Sequence, residues 1–378
     1  MYAIYIDSGH ISGAERRALK LFSELNRNGI HCKLILSHRL FTLFAAGEYK
    51  RYLDKDNCIV INSSLIDKLR NIKGFHYLRR YTGFNRLTRK IYHLQAINLL
   101  KESEMSFSIL HIFLDLNLAS QIGKLKNVNK ILFEITSPDY VKKLSSYQPN
   151  DLVKIDYFNA VSESTYIGSV DFIPKDKVYQ APIPFFDPEY ILNKDKLWSQ
   201  KENVIIFAHR LILRKNGILF AKVVKQFLKH YSHWKIKIFG KGPESTEINN
   251  LLSEEISLGQ VITGYQTKIL SELERSKIFV SLTEPDNYPS QSVLEAMYAG
   301  NALLLSNRGF TREKFFLENG MLCEISFEDV LCELIKLVNN ETDLEYFGNN
   351  SRSLLDTRYS KESYISYMCQ MYDSIAQS

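Results

Sequence analysis

The first 36 residues, MYAIYIDSGHISGAERRALKLFSELNRNGIHCKLIL, decide the fold class. Ala3 to Ile6 is a short apolar run of strand-forming residues. Gly9 and Gly13 punctuate the turn after it, and Ala14, Ala18, Leu21, Phe22 and Leu25 then recur at helical spacing. Asn28-Gly29 closes that helix, and His31 to Leu36 is a second apolar run. Strand, helix and strand over so short a span call for a parallel pair joined by a right-handed crossover, the opening of a Rossmann-like domain.

Outward from this unit the pattern continues. Apolar runs at Cys58 to Ile61, Ile109 to Phe113, Ile131 to Phe133 and Tyr157 to Val161 alternate with helical or polar stretches. Three of the nine prolines then fall between Ala181 and Pro188, where regular structure should break. Beyond them the alternation restarts: strand Val204 to Ala208, helix Gly217 to His230, strand Lys235 to Phe239, helix Glu247 to Leu258. It goes on with strand Gln260 to Thr263, helix Ile269 to Ser276, strand Ile278 to Leu282 and strand Ala302 to Leu305. The expected fold is therefore α/β, two Rossmann-like domains facing across a cleft. Residues 1–183 are expected as the first domain and residues 184–360 as the second, while residues 361–378, with a helix over Glu362 to Ala376, return to the first domain. Ligands of such sheets bind beyond the carboxyl ends of the strands, so function is sought in the loops there.

A chain of 378 residues exceeds what a single core usually supports, about 250 to 300 residues. No apolar run reaches the roughly 18 to 20 residues of a membrane span, and no basic stretch followed by an apolar one opens the chain. Five cysteines at unpaired spacing suit a reducing compartment, so a cytoplasmic location is expected. Charge is divided unequally: residues 1–150 carry 23 Lys and Arg against 12 Asp and Glu, the remainder 25 against 30. The basic excess is densest over residues 68–90, where arginines and lysines alternate with Phe75, Tyr77, Tyr81 and Phe84. Such a stretch suits peripheral contact with an anionic membrane on its inner face, against a solvated helix face as the plain alternative; nucleic acid is not expected.

Two loops carry candidate chemistry. After Ala208 comes His209-Arg210-Leu211-Ile212-Leu213-Arg214-Lys215-Asn216-Gly217, three fixed cations between a strand end and a helix start. Arginine offers a planar fork and lysine a compact charge to a departing pyrophosphate; a solvated basic loop is the structural alternative. After Leu282 lies Thr283-Glu284-Pro285-Asp286-Asn287-Tyr288-Pro289-Ser290-Gln291-Ser292, then the helix with Leu294-Glu295-Ala296-Met297 and a closing Gly300. Its first turn leaves backbone amides unpaired for phosphate or sugar oxygens, and Glu295 can accept from ribose hydroxyls or simply complement the helix dipole.

On these residues the chain resembles the retaining glycosyltransferases of the two-domain GT-B fold, specifically glycosyltransferase family 4 (glycosyl transferases group 1). Ser12-Gly13-Ala14-Glu15-Arg16, Gly240-Lys241-Gly242-Pro243-Glu244, Val161-Ser162-Glu163 and Gly264-Tyr265 fit the same family in the same order. The resemblance implies that Arg210 and Lys215 hold the donor diphosphate, Glu295 the ribose, and the backbone of Asn287, Tyr288, Pro289, Ser290, Gln291 and Ser292 the sugar and distal phosphate. Gly13 would let the first domain's loop approach that phosphate, and Gly264 and Tyr265 would flank the base, with Tyr265 as ordinary core the alternative.

Three departures bear on the site. The family separates its two acids by seven residues, whereas ten lie between Glu284 and Glu295 and eight between Asp286 and Glu295, so either Glu284 or Asp286 is a candidate for the sugar. The family's mid-domain histidine is missing from Phe133-Glu134-Ile135-Thr136-Ser137, so that Glu134 or Ser137 takes its place, or nothing does. His209 stands where relatives have glycine, as a further diphosphate donor or a packed strand-end residue. Asp54-Lys55-Asp56 precedes a first-domain strand and is read as surface, not as a metal-binding pair. No metal or cofactor is expected, and activity should survive chelation.

The function so implied is retaining transfer of a sugar from a UDP- or GDP-sugar to a saccharide or lipid-linked saccharide, in bacterial surface polysaccharide biosynthesis. A nucleotide-sugar epimerase of the same fold and a non-catalytic sugar- or lipid-binding module are the alternatives. A dinucleotide enzyme is disfavoured because Gly9-His10-Ile11-Ser12-Gly13 lacks the G-x-G-x-x-G order.

Overall fold

The computed structural model describes residues 1–8, 11–61, 82–122, 125–181, 186–188, 198–287, 290–314 and 318–378. They form two compact units, Met1–Phe185 with Lys361–Ser378, and Phe186–Ser360. The first holds a seven-stranded parallel sheet of β1 (Tyr2–Ile6), β2 (Cys32–Ser37), β3 (Cys58–Ile61), β4 (Phe107–Phe113), β5 (Val128–Ile135), β6 (Tyr157–Ala160) and β7 (Val178–Gln180), in the order β3-β2-β1-β4-β5-β6-β7. The second holds a six-stranded parallel sheet of β8 (Glu202–Ala208), β9 (Lys235–Phe239), β10 (Val261–Gly264), β11 (Ser276–Ser281), β12 (Ala302–Ser306) and β13 (Gly320–Cys323), in the order β10-β9-β8-β11-β12-β13. Each sheet reverses its winding once, between β1 and β4 and between β8 and β11. These are the positions at which such sheets bind ligands.

Strand alternation sorts the first core. Tyr5, Leu110, Ile112, Ile131, Phe133 and Ile135 pack on one face. Ile4, Ile6, Ile109, Phe113 and Leu132 pack on the other, under the helices Gly13–Arg27 and Lys361–Gln377. The last helix contributes Tyr364, Met368, Tyr372 and Ile375 to that face.

Glu134 lies on the second face, and this corrects its sequence reading. Its neighbours in β5, Phe133 and Ile135, face the first cluster, so its side chain turns with that of Leu132 beneath the C-terminal helix, fully buried. There it pairs with Arg17 at 3.1 Å, receives the His111 Nε2–H at 3.0 Å and the Asn159 amide at 2.8 Å. Tyr372 donates to His111 Nδ1 at 2.7 Å and Tyr367 to Asn159 Oδ1 at 2.8 Å. Glu134 is thus the centre of a buried polar network that fastens the last helix to the sheet. It is not a group presented at a strand end.

Other expectations differ in detail. The stretch expected as one helix from Glu247 breaks into Ser245–Leu251 and Ser253–Ser257. Asp54 and Asp56 are exposed, and Asp54 caps a short turn by accepting from the amide of Asp56 and the side chain of Asn57. The five cysteines are free thiols. No helix among the described residues is long and apolar enough to cross a membrane. Residues 62–81 lie outside the described residues. So do the side chains of residues 82–90, and with them the proposed membrane-facing segment.

Candidate functional site in the second unit

The winding reversal of the second sheet brings two loops together. β8 and β11 are neighbours, so the cationic loop after Ala208 and the acidic loop after Ser281 leave the same edge of the sheet. Three bonds knit them: Asn216 Nδ2 donates to the Leu282 carbonyl at 2.8 Å, the Glu284 amide to the Arg214 carbonyl at 2.9 Å, and Lys215 Nζ to Thr283 Oγ1 at 2.9 Å. Asn216 takes the left-handed conformation (φ 56°) in which asparagine is among the more tolerant residues, and from it starts the helix Gly217–Phe227.

A third loop, after β9, is pressed against the first. A Cβ on Gly240 would lie 1.8 Å from the His209 carbonyl oxygen, and one on Gly242 2.0 Å from that of Leu211. Only glycine permits this approach, which is secured by the Leu211 amide bonding to Lys241 and the Glu244 amide to Leu211. Lys241 then sets its ammonium 4.0 Å from the ring centroid of Tyr265 at the end of β10. That ring is 61% exposed, which excludes the core reading and leaves a face free to stack. Gly264 beside it adopts φ +144° with open space around its Cβ position.

Electrostatically the first loop is a cation cluster. Arg210 is exposed, Arg214 and Lys215 partly buried. Among the described residues no carboxylate lies within ion-pair distance of Lys215. Burial first, then the charges of Arg214 and Arg210, bring the lysine down from 10.5 to about 7.

His209 resolves to the packed alternative. Its Nε2 faces the Val280 carbonyl at 3.2 Å, so that nitrogen carries the proton. Burial, with Lys215 as second cause, holds the imidazole neutral. Nδ1 is then a lone pair that accepts from Ser292 Oγ at 3.4 Å, and Ser292 contacts Ser290 Oγ at 3.0 Å. His209 therefore ties β11 to the first turn of the helix Gln291–Tyr298 and has no hydrogen left for a phosphate. The first-turn amides at Gln291 and Ser292 belong to the part of a helix that lacks intrahelical partners.

The acidic loop divides. Glu284 is exposed, its carboxylate 3.8 Å from Arg308. Asp286, by contrast, accepts from the Phe310 amide at 3.1 Å and from Thr311 Oγ1 at 3.3 Å, stapling the loop after β12. Asn287 is buried, with Oδ1 accepting from Ser281 Oγ at 2.6 Å, Nδ2 donating to Ser306 Oγ at 2.8 Å, and its amide donating to Thr311 Oγ1 at 3.3 Å. The expectation that the Asn287 backbone serves a ligand is thereby corrected, since the amide is spent within the unit. Asn287 also has the seven-residue spacing to Glu295 that neither acid has. Glu295 sits partly buried on the helix; Tyr288 and Pro289 lie outside the described residues.

Sequence reading missed Thr283, Ser281 and Ser306, small hydroxyls whose only signal was their place at the ends of β11 and β12. In the first unit, Gly13 opens its helix after Ser12, whose amide and hydroxyl both contact the Glu15 carboxylate. This places Gly13 at that sheet's own winding reversal.

Residues 191–354 match the family model Glycosyl transferases group 1. A poly(ribitol-phosphate) alpha-N-acetylglucosaminyltransferase of Staphylococcus aureus (strain COL) is 24% identical over 181 residues, covering 46% of this chain and 36% of that protein. An uncharacterized glycosyltransferase of Haemophilus influenzae is 27% identical over 187 residues, covering 48% and 52%. The chain thus spans about a third to a half of the length of these curated relatives. Among solved structures, TarM (13% identity, TM-score 0.74, 98% of this chain and 99% of that one) and Anabaena Alr3699/HepE in complex with UDP and glucose (12%, 0.73, 99% and 99%) share the fold. Both units are parallel-sheet α/β domains of the kind found in GT-B glycosyltransferases.

Proposed function

We propose that the chain is a glycosyltransferase that draws a sugar from a UDP- or GDP-sugar held by the second unit and passes it to a saccharide or lipid-linked saccharide. The observation that carries this reading is the cluster of Arg210, Arg214 and Lys215, which has no acid against Lys215 among the described residues and stands at the winding reversal beside a helix N-terminus. Such a cluster favours an anion, and a nucleotide diphosphate leaving a sugar develops its charge where these groups lie. Tyr265 offers the base a face, and Glu295 the ribose an acceptor. With Asp286 engaged in its own loop, Glu284 is the acid left for the sugar.

Retention at the anomeric carbon follows from the family 4 resemblance, with the departing phosphate taking the acceptor's proton. The first unit is assigned the acceptor, and the basic excess of its sequence suits an anionic one. A cell-surface polymer akin to the poly(ribitol-phosphate) named for the Staphylococcus relative fits that charge, in cytoplasmic assembly with peripheral contact at the inner membrane face. Arg210 and Lys215, rather than a metal ion, offset the leaving charge.

The test is a panel of UDP- and GDP-sugars screened by thermal shift, followed by product analysis with donor alone and with acceptor. Lys215→Ala and Glu295→Ala should each abolish transfer while unfolding stays that of the parent. Full activity in both variants removes the site assignment, and an epimerised donor without acceptor replaces the function.

A further inference from the structure

We propose that Lys215 is protonated as the nucleotide diphosphate binds, so that each binding event takes up a proton from solvent and affinity falls as the medium becomes alkaline. The proposal rests on the donor-site reading and adds to it a pH-linked step.

The geometry beneath the lysine carries the argument. Ser281 gives its hydroxyl hydrogen to Asn287 Oδ1, so at the 3.1 Å contact between Ser281 Oγ and Thr283 Oγ1 the hydrogen comes from Thr283. Thr283 Oγ1 then accepts from Lys215 Nζ. Asn287 Nδ2 donates to Ser306 Oγ, and Ser306 donates to the Thr283 carbonyl at 2.8 Å. Each hydroxyl hydrogen in this buried chain is assigned, and no member is an acid. The support under the lysine is therefore neutral.

The charged groups facing it from other elements do not fill that gap. On its own loop stand Arg210 and Arg214, of like charge, and His209 is neutral. In the loop after β11, Glu284 turns to Arg308 and Asp286 to the loop of Phe310 and Thr311. From the loop after β9, Lys241 lies over Tyr265, and Glu244 faces the start of the helix Gly217–Phe227. Glu295, on the helix Gln291–Tyr298, makes no ion pair with Lys215. A half-buried amine in this setting holds its proton weakly, near 7. A bound diphosphate supplies the missing counter-charge and raises that value, so the proton moves from water to Nζ.

Titration calorimetry of UDP and of GDP at pH 8, in two buffers of different ionisation enthalpy, reads the proton directly. At this pH the nucleotide phosphates are already ionised and add nothing. Uptake of about 0.9 proton per nucleotide is expected, with Kd rising roughly tenfold per pH unit above pH 8. Lys215→Arg, a cation at every accessible pH, should bind with no buffer dependence and a flat profile. Thr283→Asp sets a carboxylate at Nζ, charges the lysine beforehand and should reduce the uptake toward zero. Nucleotide bound by the parent without proton uptake overturns the proposal and leaves the donor site standing, as does uptake undiminished in Lys215→Arg. Failure of the parent to bind either nucleotide at any pH overturns the donor-site reading, and this proposal with it.

Discussion

Glu134→Gln tests the buried network that holds the C-terminal helix. The substitution keeps the shape of the side chain and removes its charge, leaving Arg17, about 10% exposed, without a counter-ion in a closed core. Breaking a buried pair by removing one partner costs about 3–5 kcal/mol. For a unit of roughly 200 residues each kcal/mol is worth about 2–4 °C, so the unfolding of the first unit should fall by roughly 6–20 °C. Scanning calorimetry on the full chain is the assay, since two compact units need not unfold together. The double variant Arg17→Met with Glu134→Leu removes both charges and should recover most of the loss. Acid adds a second signature. Burial pushes the Glu134 carboxyl up, but Arg17, His111 and Asn159 together outweigh it and leave it below its ordinary 4.5. Its contribution is therefore complete above about 4.5 and disappears as pH falls through the folded value, a drop that Glu134→Gln should lack. A single variant within about 2 °C of the parent, or a double variant worse than both singles, would refute the reasoning.

Three further outcomes are expected. Gly240→Ala forces a Cβ into the His209 carbonyl, so it should destabilise the second unit and weaken nucleotide binding together, read by calorimetry and nucleotide titration. Tyr265→Ala removes an exposed ring and should leave stability within about 0.5 kcal/mol of the parent, while nucleotide affinity falls about tenfold, the lower part of the range for base stacking. Transfer activity should persist in EDTA, because the charge of the leaving diphosphate is assigned to Arg210 and Lys215; loss that Mg or Mn restores would contradict that assignment.

The strand runs were legible because a strand inside a parallel sheet is apolar on both faces, as Leu34-Ile35-Leu36 and Ala302 to Leu305 are. Their ends were not, since the ladder takes in polar residues that carry no such signal: Glu202-Asn203 before β8's apolar part, Asn129-Lys130 within the start of β5, Ser276-Lys277 before the apolar part of β11. The cationic loop and the helix start were readable from their position after strands. Asp286 and Asn287 were not, because their partners Thr311 and Ser306 lie 25 and 19 residues away. Glu134 was misread for the same reason on a longer scale. Next to a strand end an acid looks like a ligand group, and what it serves arrives with Tyr372, bonded to a histidine 261 positions earlier.

The acid that turned inward and the amide beside it make the site more coherent. An anion site gains nothing from a carboxylate beside its cations, because the carboxylate would neutralise them before the ligand does and would repel it on arrival. Asp286 is spent on Phe310 and Thr311, while Asn287, at the spacing where an acid was expected, is an amide that hands its hydrogen bonds to serines. Both changes keep negative charge away from Lys215, whose support is a hydroxyl. The corollary is directional. Asn287→Asp would introduce a buried charge beneath Thr283, strengthen the lysine's hold on its proton and weaken the attraction for a diphosphate, so nucleotide Kd should rise. A Kd that falls instead would mean that the lysine's charge, and not the absence of an acid, limits binding.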